Sequence, residues 1–285
     1  MYVSYTAPHW PLHAPEETIE KYEDKFDLGW DRLRRQRYQR LTKMGPTRSG
    51  TSRSETRVPA WENAENKAWQ ARRMAVYAAM VDRMDQGIGQ MVEALEETGQ
   101  LENTLILFLS DNGESLESFG WVENRTYADN RGVEPSASGE VQTSLYPRVT
   151  REGEPIQLGN VPEYIPGPDT TYQAYGRPWA NVSNTPFREY KSMVHEGGIA
   201  TPMIAHWPAG IEREGELERQ PGHIVDLMAT AVDLGNATYP DTVEDLSEKH
   251  PERLEKMTQR WASMARCFNA VPWPYDGECR TEEDK

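Results

Sequence analysis

The sequence predicts an α/β fold, a mostly parallel sheet flanked by helices, and three observations carry that expectation. Leu105–Leu109 is an unbroken apolar run, the pattern of a strand buried on both faces of a parallel sheet. A long helical pattern leads directly into it, and a second apolar run, Pro202–Trp207, is followed by an amphipathic stretch. Helix-to-strand alternation of this kind builds α/β sheets. The first run ends in Ser110-Asp111-Asn112-Gly113. In open α/β sheets ligands sit just outside the carboxyl ends of the strands, so Asp111 and Asn112 offer side-chain oxygens where a ligand or metal is expected. Asp-Asn-Gly is also an ordinary turn sequence, and these residues alone do not separate the two readings.

Composition bounds the rest. The chain has 285 residues, 37% of them hydrophobic, with 21 Gly and 20 Pro, so much of it must be loop. A formal net charge of −15 argues against nucleic acid or an anionic membrane as partner, and an anionic substrate needs a local cation to draw it in. No apolar run approaches the ~18 residues that span a bilayer. The start, Met1-Tyr-Val-Ser-Tyr, lacks the basic and apolar regions of a signal peptide. Cys267 and Cys279 form no disulfide framework, and whether they pair is left open.

In order, Tyr2–Tyr5 reads as a short strand. It runs into a loop stiffened by Pro8, Pro11 and Pro15 that carries His9 and His13. Pro11 rules out the helical geometry by which two histidines four apart could share a metal. His13 reads as a surface loop residue. His9, held between Pro8 and Trp10 directly after the strand, is the better site candidate. A short helix is expected over Asp31–Leu41. Its arginines Arg32, Arg34, Arg35, Arg37 and Arg40 read as a solvated face, and Gly45–Ser54 as a loop.

The long helix runs from about Ala64 to Thr98. Tyr77, Met80, Met84, Ile88, Met91 and Leu95 recur every three or four residues, one stripe for packing on a sheet. Gly87 and Gly89 mark close approach of a neighbour, and Gly99 is a natural C-terminal cap. From Glu114 to Tyr190 periodicity is lost, but Trp121, Tyr127, Tyr146, Tyr164, Tyr172, Tyr175 and Trp179 argue for an ordered excursion near the site. His195-Glu196-Gly197-Gly198 is a tight loop with the cation Lys191 just upstream. Gly222–Gly235 reads as a helix covering the sheet, with His223 a structural residue at its start.

Three blocks then carry a family resemblance: YVSYTAPHWPLHAP, MAVYAAMVDRMDQGIGQMVEALEETGQLENTLILFLSDNG and WANVSNTPFREYKSMVHEGGIATPMIAHWPAGI. Together they resemble the sulfatases, in particular the bacterial arylsulfatase branch, over roughly Tyr2 to Pro240. Glu248–Pro274 resembles the family's C-terminal helix and tail. The resemblance implies an alkaline-phosphatase-like sandwich, with 1–240 as catalytic-domain portion and 241–285 as C-terminal helix and tail. It implies sulfate-monoester hydrolysis through a formylglycine and Ca²⁺. Asp111 and Asn112 match the pair that helps bind the metal. His9 matches the histidine that contacts the ester and protonates the departing oxygen, and Lys191 the lysine that binds the sulfate oxygens. The implied partner is a small sulfate ester or a sulfated glycan, and the implied location of a complete member is periplasmic or secreted.

The departures are equally specific. No C-x-P-x-R or S-x-P-x-R occurs in the chain: Cys267 is followed by Phe-Asn-Ala and Cys279 by Arg-Thr-Glu. The family's paired N-terminal aspartates have no counterpart, nor does the lysine and histidine pair that follows the nucleophile. Near Tyr239–Asp245 the small C-terminal sheet is missing. The expectation is a sulfatase fragment, internally shortened, with an unpaired sheet edge and no turnover of its own. Ca²⁺ takes six to eight oxygens, and Asp111 with Asn112 supply at most about three. Two alternatives stand beside this reading. One is a related metal-dependent phosphodiesterase or phosphonate hydrolase; the other is a non-catalytic remnant that binds an anion or carbohydrate through its aromatic loop.

Overall fold

The computed structural model describes residues 1–45, 57–117, 137, 141, 146–218, 220–238, 250–256 and 259. The chain divides into two compact units, Met1–Arg219 and Gln220–Lys285.

In the first unit, a one-turn helix α1 (Glu16–Ile19) and helix α2 (Gly29–Met44) precede the long helix α3 (Lys67–Glu97). Then come β1 (Ile106–Leu109), β2 (Gln157–Leu158), β3 (Thr171–Tyr172), α4 (Gly176–Ser183), the single turn α5 (Glu196–Ile199) and β4 (Met203–His206). The predicted helices therefore form within a few residues of their expected bounds. Gly45, with φ 91°, closes α2 by donating to Leu41 and Thr42 carbonyls, and Gly99, φ 68°, follows the end of α3 as expected.

The sheet differs from expectation. Leu105–Ser110 and Pro202–Trp207 do hold paired strands, but β1 and β4 run antiparallel, with Ile106 opposite His206 and Leu109 opposite Met203. The parallel pair is β2 with β3, only two residues each. Tyr2–Tyr5 forms no strand, and Tyr2, Val3 and Tyr5 are exposed. Nor is β1 buried on both faces: Phe108 is exposed, as are Met203 and Ile204 opposite it. An apolar run records only the side chains' preference for burial. It carries no information on strand direction, and among the described residues no third strand covers this pair.

The core lies elsewhere, between α2, α3 and α4. Trp30, Trp61 and Trp179 stack edge to face, with centroids 4.6 Å (Trp30–Trp61) and 5.5 Å (Trp30–Trp179) apart, and Phe26 adds an edge at 5.9 Å. Around them pack Leu12, Ile19, Val76, Ala79 and Met80. The predicted stripe of α3 is buried at Tyr77 and Met80 and half-buried from Met84 onward. Gly87 does mark a close approach, since a Cβ there would meet the Tyr5 hydroxyl at 2.7 Å, whereas Gly89 has open space.

Two arginines are buried, Arg34 against the expectation of a solvated face. Arg34 is buried, and its guanidinium donates to the carbonyls of Asn181, Pro186 (3.3 Å) and Phe187 (3.0 Å) and to Thr185 Oγ1 (3.2 Å). It takes up the Asn181 carbonyl in the last turn of α4, which the helix leaves unsatisfied, and two carbonyls of the turn that follows. Arg32, Arg35, Arg37 and Arg40 are exposed as expected. Arg73 on α3 donates to Ala174 O at 2.8 Å and lies 3.9 Å from the centroid of the Trp69 ring. Burial pushes its pKa down to about 9, still high enough to keep it charged at neutral pH.

The second unit holds helix α6 (Ile224–Leu234). His223 caps it as a structural residue: its ring accepts from Val225 N at 3.2 Å, while Asp226 accepts from His223 N at 2.7 Å. Ile224, Val225 and Met228, the apolar residues of the amphipathic pattern, are exposed. Residues 251–256 are helical; most of Glu248–Pro274, with Cys267 and Cys279, lies outside the described residues, as do Trp121 and Tyr127.

Candidate active site

Every piece of the candidate site is a loop fastened to another loop. His9 follows the Ala7–Pro8 bond and precedes Trp10–Pro11, both cis, and its own N–H donates to Thr6 O at 3.0 Å. Its ring Nδ1 lies 2.8 Å from Trp10 O. A carbonyl can only accept, so Nδ1 carries the hydrogen. That leaves Nε2 as the acceptor, and Lys191 Nζ, which can only donate, stands 3.2 Å from it. The structure thus brings together two of the predicted residues across 182 positions of chain. Among the described residues no carboxylate pairs with Lys191 within 4 Å. In a chain of net charge −15, this ammonium is the kind of local cation an anionic ligand requires.

Asp111 and Asn112 occupy the turn after β1. Asp111 is exposed and Asn112 half-buried. The turn is tied to the Lys191 segment by the backbone: Lys191 N donates to Glu114 O at 3.0 Å, and Gly113 N to Gly198 O at 3.1 Å. Thr201 Oγ1 adds a bond to Ser110 O at 2.8 Å. The glycines are explained by this contact. A Cβ on Gly113 would fall inside the Gly197 carbonyl, and one on Gly197 inside the carbonyls of Arg188 and Glu189.

Asn184 and Glu114 were not singled out in the sequence, yet they organise the loops. The Asn184 carboxamide accepts from Glu114 N (3.0 Å) and donates to Glu189 O (2.8 Å) and Gly197 O (2.7 Å). Glu114 accepts the Tyr77 hydroxyl on one carboxylate oxygen (2.9 Å) and the Tyr175 hydroxyl on the other (2.5 Å). Burial, and then the Glu114 charge, raise both phenols well above their ordinary range. Asn-x-Pro and Asp-Asn-Gly-Glu look like turn sequences, and nothing in local sequence announces bonds spanning 70 and 61 residues.

His13 is not the free surface residue expected. Its Nε2 lies 2.6 Å from Thr171 O, which holds the proline-rich loop to β3. Beside it, Trp10 meets Tyr172 edge-on at 5.9 Å and Tyr146 meets Tyr172 at 5.7 Å.

For a metal, Asp111 and Asn112 are oxygen donors of the type Ca²⁺ takes, but two side chains do not make its shell of six to eight. Among the described residues no group of three or more acidic, histidine or cysteine side chains could hold an ion. The residues present do not by themselves fit the metal.

The fold and site define an α/β protein with a lysine–histidine pair beside an acid–amide turn. The family described as Sulfatase matches residues 1–237, and the chain belongs to the sulfatase family. It is 31% identical to an arylsulfatase of Klebsiella aerogenes over 80% of this chain and 44% of that protein. It is 30% identical to an uncharacterized sulfatase of Schizosaccharomyces pombe over 84% of this chain and 39% of that one. The chain thus spans less than half the length of these relatives. A crystal structure of Ps i-CgsB in complex with k-i-k-neocarrahexaose superposes with a TM-score of 0.43 at 20% identity. It covers 85% of this chain and 30% of that one, a likeness too distant to bear on fold or substrate. No helix among the described residues is long and apolar enough to cross a membrane.

Proposed function

We propose that this chain carries the anion-contacting part of a sulfate-ester hydrolase, with Lys191 binding the sulfate oxygens and His9 facing the leaving oxygen. The observation that supports it most is the 3.2 Å contact between Lys191 Nζ and His9 Nε2, two residues given adjacent roles by the family resemblance. As they stand, each occupies the other. A sulfate oxygen gives Lys191 a stronger acceptor than a neutral imidazole, because the bond is then between opposite charges. Its arrival frees Nε2 to take a proton from water, and the imidazolium so formed can give that proton to the departing oxygen, which leaves as the alcohol. One ammonium at ~4 Å from a monoanion contributes roughly 4 kcal/mol at an effective dielectric of 20, enough to attract an ester but not to cleave it.

Cleavage needs a nucleophile. In the family this is a formylglycine made within a C/S-x-P-x-R signature, and these 285 residues contain no such signature. We therefore assign no turnover to the chain alone. Asp111 and Asn112 would contribute to a Ca²⁺ site in a polypeptide that supplies the remaining ligands, and small sulfate esters or sulfated glycans are the proposed substrates. A second reading, an anion- or sugar-binding protein without catalysis, is favoured by Trp10, whose ring lies 4.6 Å from that of His9 and continues into a row of aromatics through Tyr172 to Tyr146.

The test is titration with inorganic sulfate and with 4-nitrophenyl sulfate, using the wild type, Lys191→Met and His9→Ala. Binding that is lost in Lys191→Met, with no release of nitrophenol, is the expected result. Sulfate binding that survives Lys191→Met unchanged would remove the proposed role. Calcium-dependent release of nitrophenol by the pure chain would overturn the assignment of no turnover.

A further inference from the structure

We infer that Glu114 is the positioning residue of this site: it holds Lys191 and the Asp111–Asn112 turn in one register, through its side chain and backbone together. The inference rests on the reading of Lys191 as the sulfate-binding cation.

The argument is one of connectivity. Glu114 uses every polar group it has. One carboxylate oxygen is held by Tyr77 from the buried half of α3, the other by Tyr175 at the start of α4. Its N–H is held by Asn184 and its carbonyl holds the Lys191 N–H at 3.0 Å. Tyr77 and Tyr175 are both buried, with ring centroids 4.7 Å apart, so the two anchors belong to the packed core and cannot drift independently. Three residues before Glu114 stands Asp111, and one before it Gly113, whose N–H is bound to Gly198. The loops carrying Asp111 and Lys191 are also joined by Gly113 N to Gly198 O, by Thr201 Oγ1 to Ser110 O and by the Asn184 carboxamide. Glu114 adds to these a tether from both loops to the buried tyrosine pair.

A residue whose purpose was to tune the field at Lys191 would act through its charge. A positioning residue acts through its shape and its acceptors, and the two are separable. Gln keeps the length of the side chain and one acceptor oxygen while removing the charge; Ala removes the tether.

The experiment compares wild type, Glu114→Ala, Glu114→Gln and, as a control for general loosening of the core, Ile19→Val. Two readouts are taken on the 285-residue chain: amide hydrogen exchange at Lys191 and Gly113, and affinity for inorganic sulfate. Glu114→Ala is expected to speed exchange at both amides at least tenfold and weaken sulfate at least fivefold, with Val76 in α3 as protected as in wild type. Glu114→Gln is expected to restore both to within about twofold to threefold, and Ile19→Val to change neither selectively. Wild-type exchange at Lys191 in Glu114→Ala, or the same pattern in Ile19→Val, would overturn the inference. Equal tightening of sulfate by Ala and Gln would show a charge effect and overturn it too. Should Glu114→Ala not fold, Tyr175→Phe removes one tether alone and is expected to raise Lys191 exchange by a smaller factor; no rise counts against the inference. If wild type binds no sulfate, the proposed function fails, while the exchange measurements still decide the positioning role.

Discussion

Lys191 Nζ donates to His9 Nε2 at 3.2 Å, while His9 Nδ1 is held 2.8 Å from the Trp10 carbonyl. The pair therefore prescribes a tautomer: a neutral imidazole with its hydrogen on Nδ1. Ring-nitrogen NMR of labelled protein is expected to show Nδ1 protonated and Nε2 bare in the ligand-free chain. A ring protonated on Nε2 in its neutral form would contradict the arrangement.

The packing of Gly113 against Gly197 leads to a stability prediction. Gly113→Ala places a methyl where a carbonyl already stands, so the loops must separate. Overpacking of this kind typically costs 1–3 kcal/mol, and loss of sulfate binding should accompany it. Gly89→Ala is the contrast. That position has open space and helical neighbours, so the substitution is expected to stabilise by roughly 0.5–1 kcal/mol. Chemical denaturation of the two variants reads both signs.

Asn184 joins three segments with three hydrogen bonds while almost wholly buried. Asn184→Ala leaves an N–H and two carbonyls without that partner, at about 1–3 kcal/mol for each group that stays buried and unpaired. Asn184→Asp is informative because it keeps the acceptor for Glu114 N but faces two carbonyls with an anion. Both variants are expected to melt below wild type, with Asp no better than Ala. Melting of Asn184→Asp at the wild-type temperature would refute the assigned bonding.

Alkaline stability should be limited by tyrosines. Tyr77 and Tyr175 are raised well above 10, and Tyr172 is pushed up to about 12, in each case first by burial. A raised native pKa means that the unfolded chain loses its proton first. Stability is therefore intact below pH 10 and falls as pH rises through 10 toward 12, by up to ~1.4 kcal/mol per pH unit for each such group. Arg73 works the other way above about 9, since burial lowers its pKa, but one group cannot offset three. Denaturation midpoints should rise slightly between pH 9 and 10, where Arg73 alone acts, and drop above 10. In Glu114→Gln the two phenols should titrate earlier, because the adjacent negative charge is gone while their burial remains.

The helices were legible in the sequence, and so were the candidates His9 and Lys191 that the structure brings together; their surroundings were not. The 3.6-residue stripe from Tyr77 to Leu95 specifies α3, because a periodic apolar face needs no partner to be recognised. His9, Lys191, Asp111 and Asn112 stand out through motif and resemblance. Arg34 did not: among neighbouring arginines it looks solvated, and only the carbonyls at the end of α4 make it a buried residue. The same blindness hid the strand direction. Leu105–Leu109 is apolar enough for a central strand, but pairing direction is set by the chain's path, which local composition does not record.

The bonds of Arg34 also impose a schedule on synthesis. Its partner Thr185 lies 151 residues downstream, and Trp179, which closes the tryptophan cluster, is nearly as far. At roughly 5–20 residues per second of translation, α2 must wait on the order of 8–30 seconds for the residues that cover it. During that interval Arg34 lacks the carbonyls it donates to, and Trp30 has only its nearer partners, Trp61 and the Pro59 carbonyl. The core of the first unit cannot be completed until α4 and the turn after it have emerged.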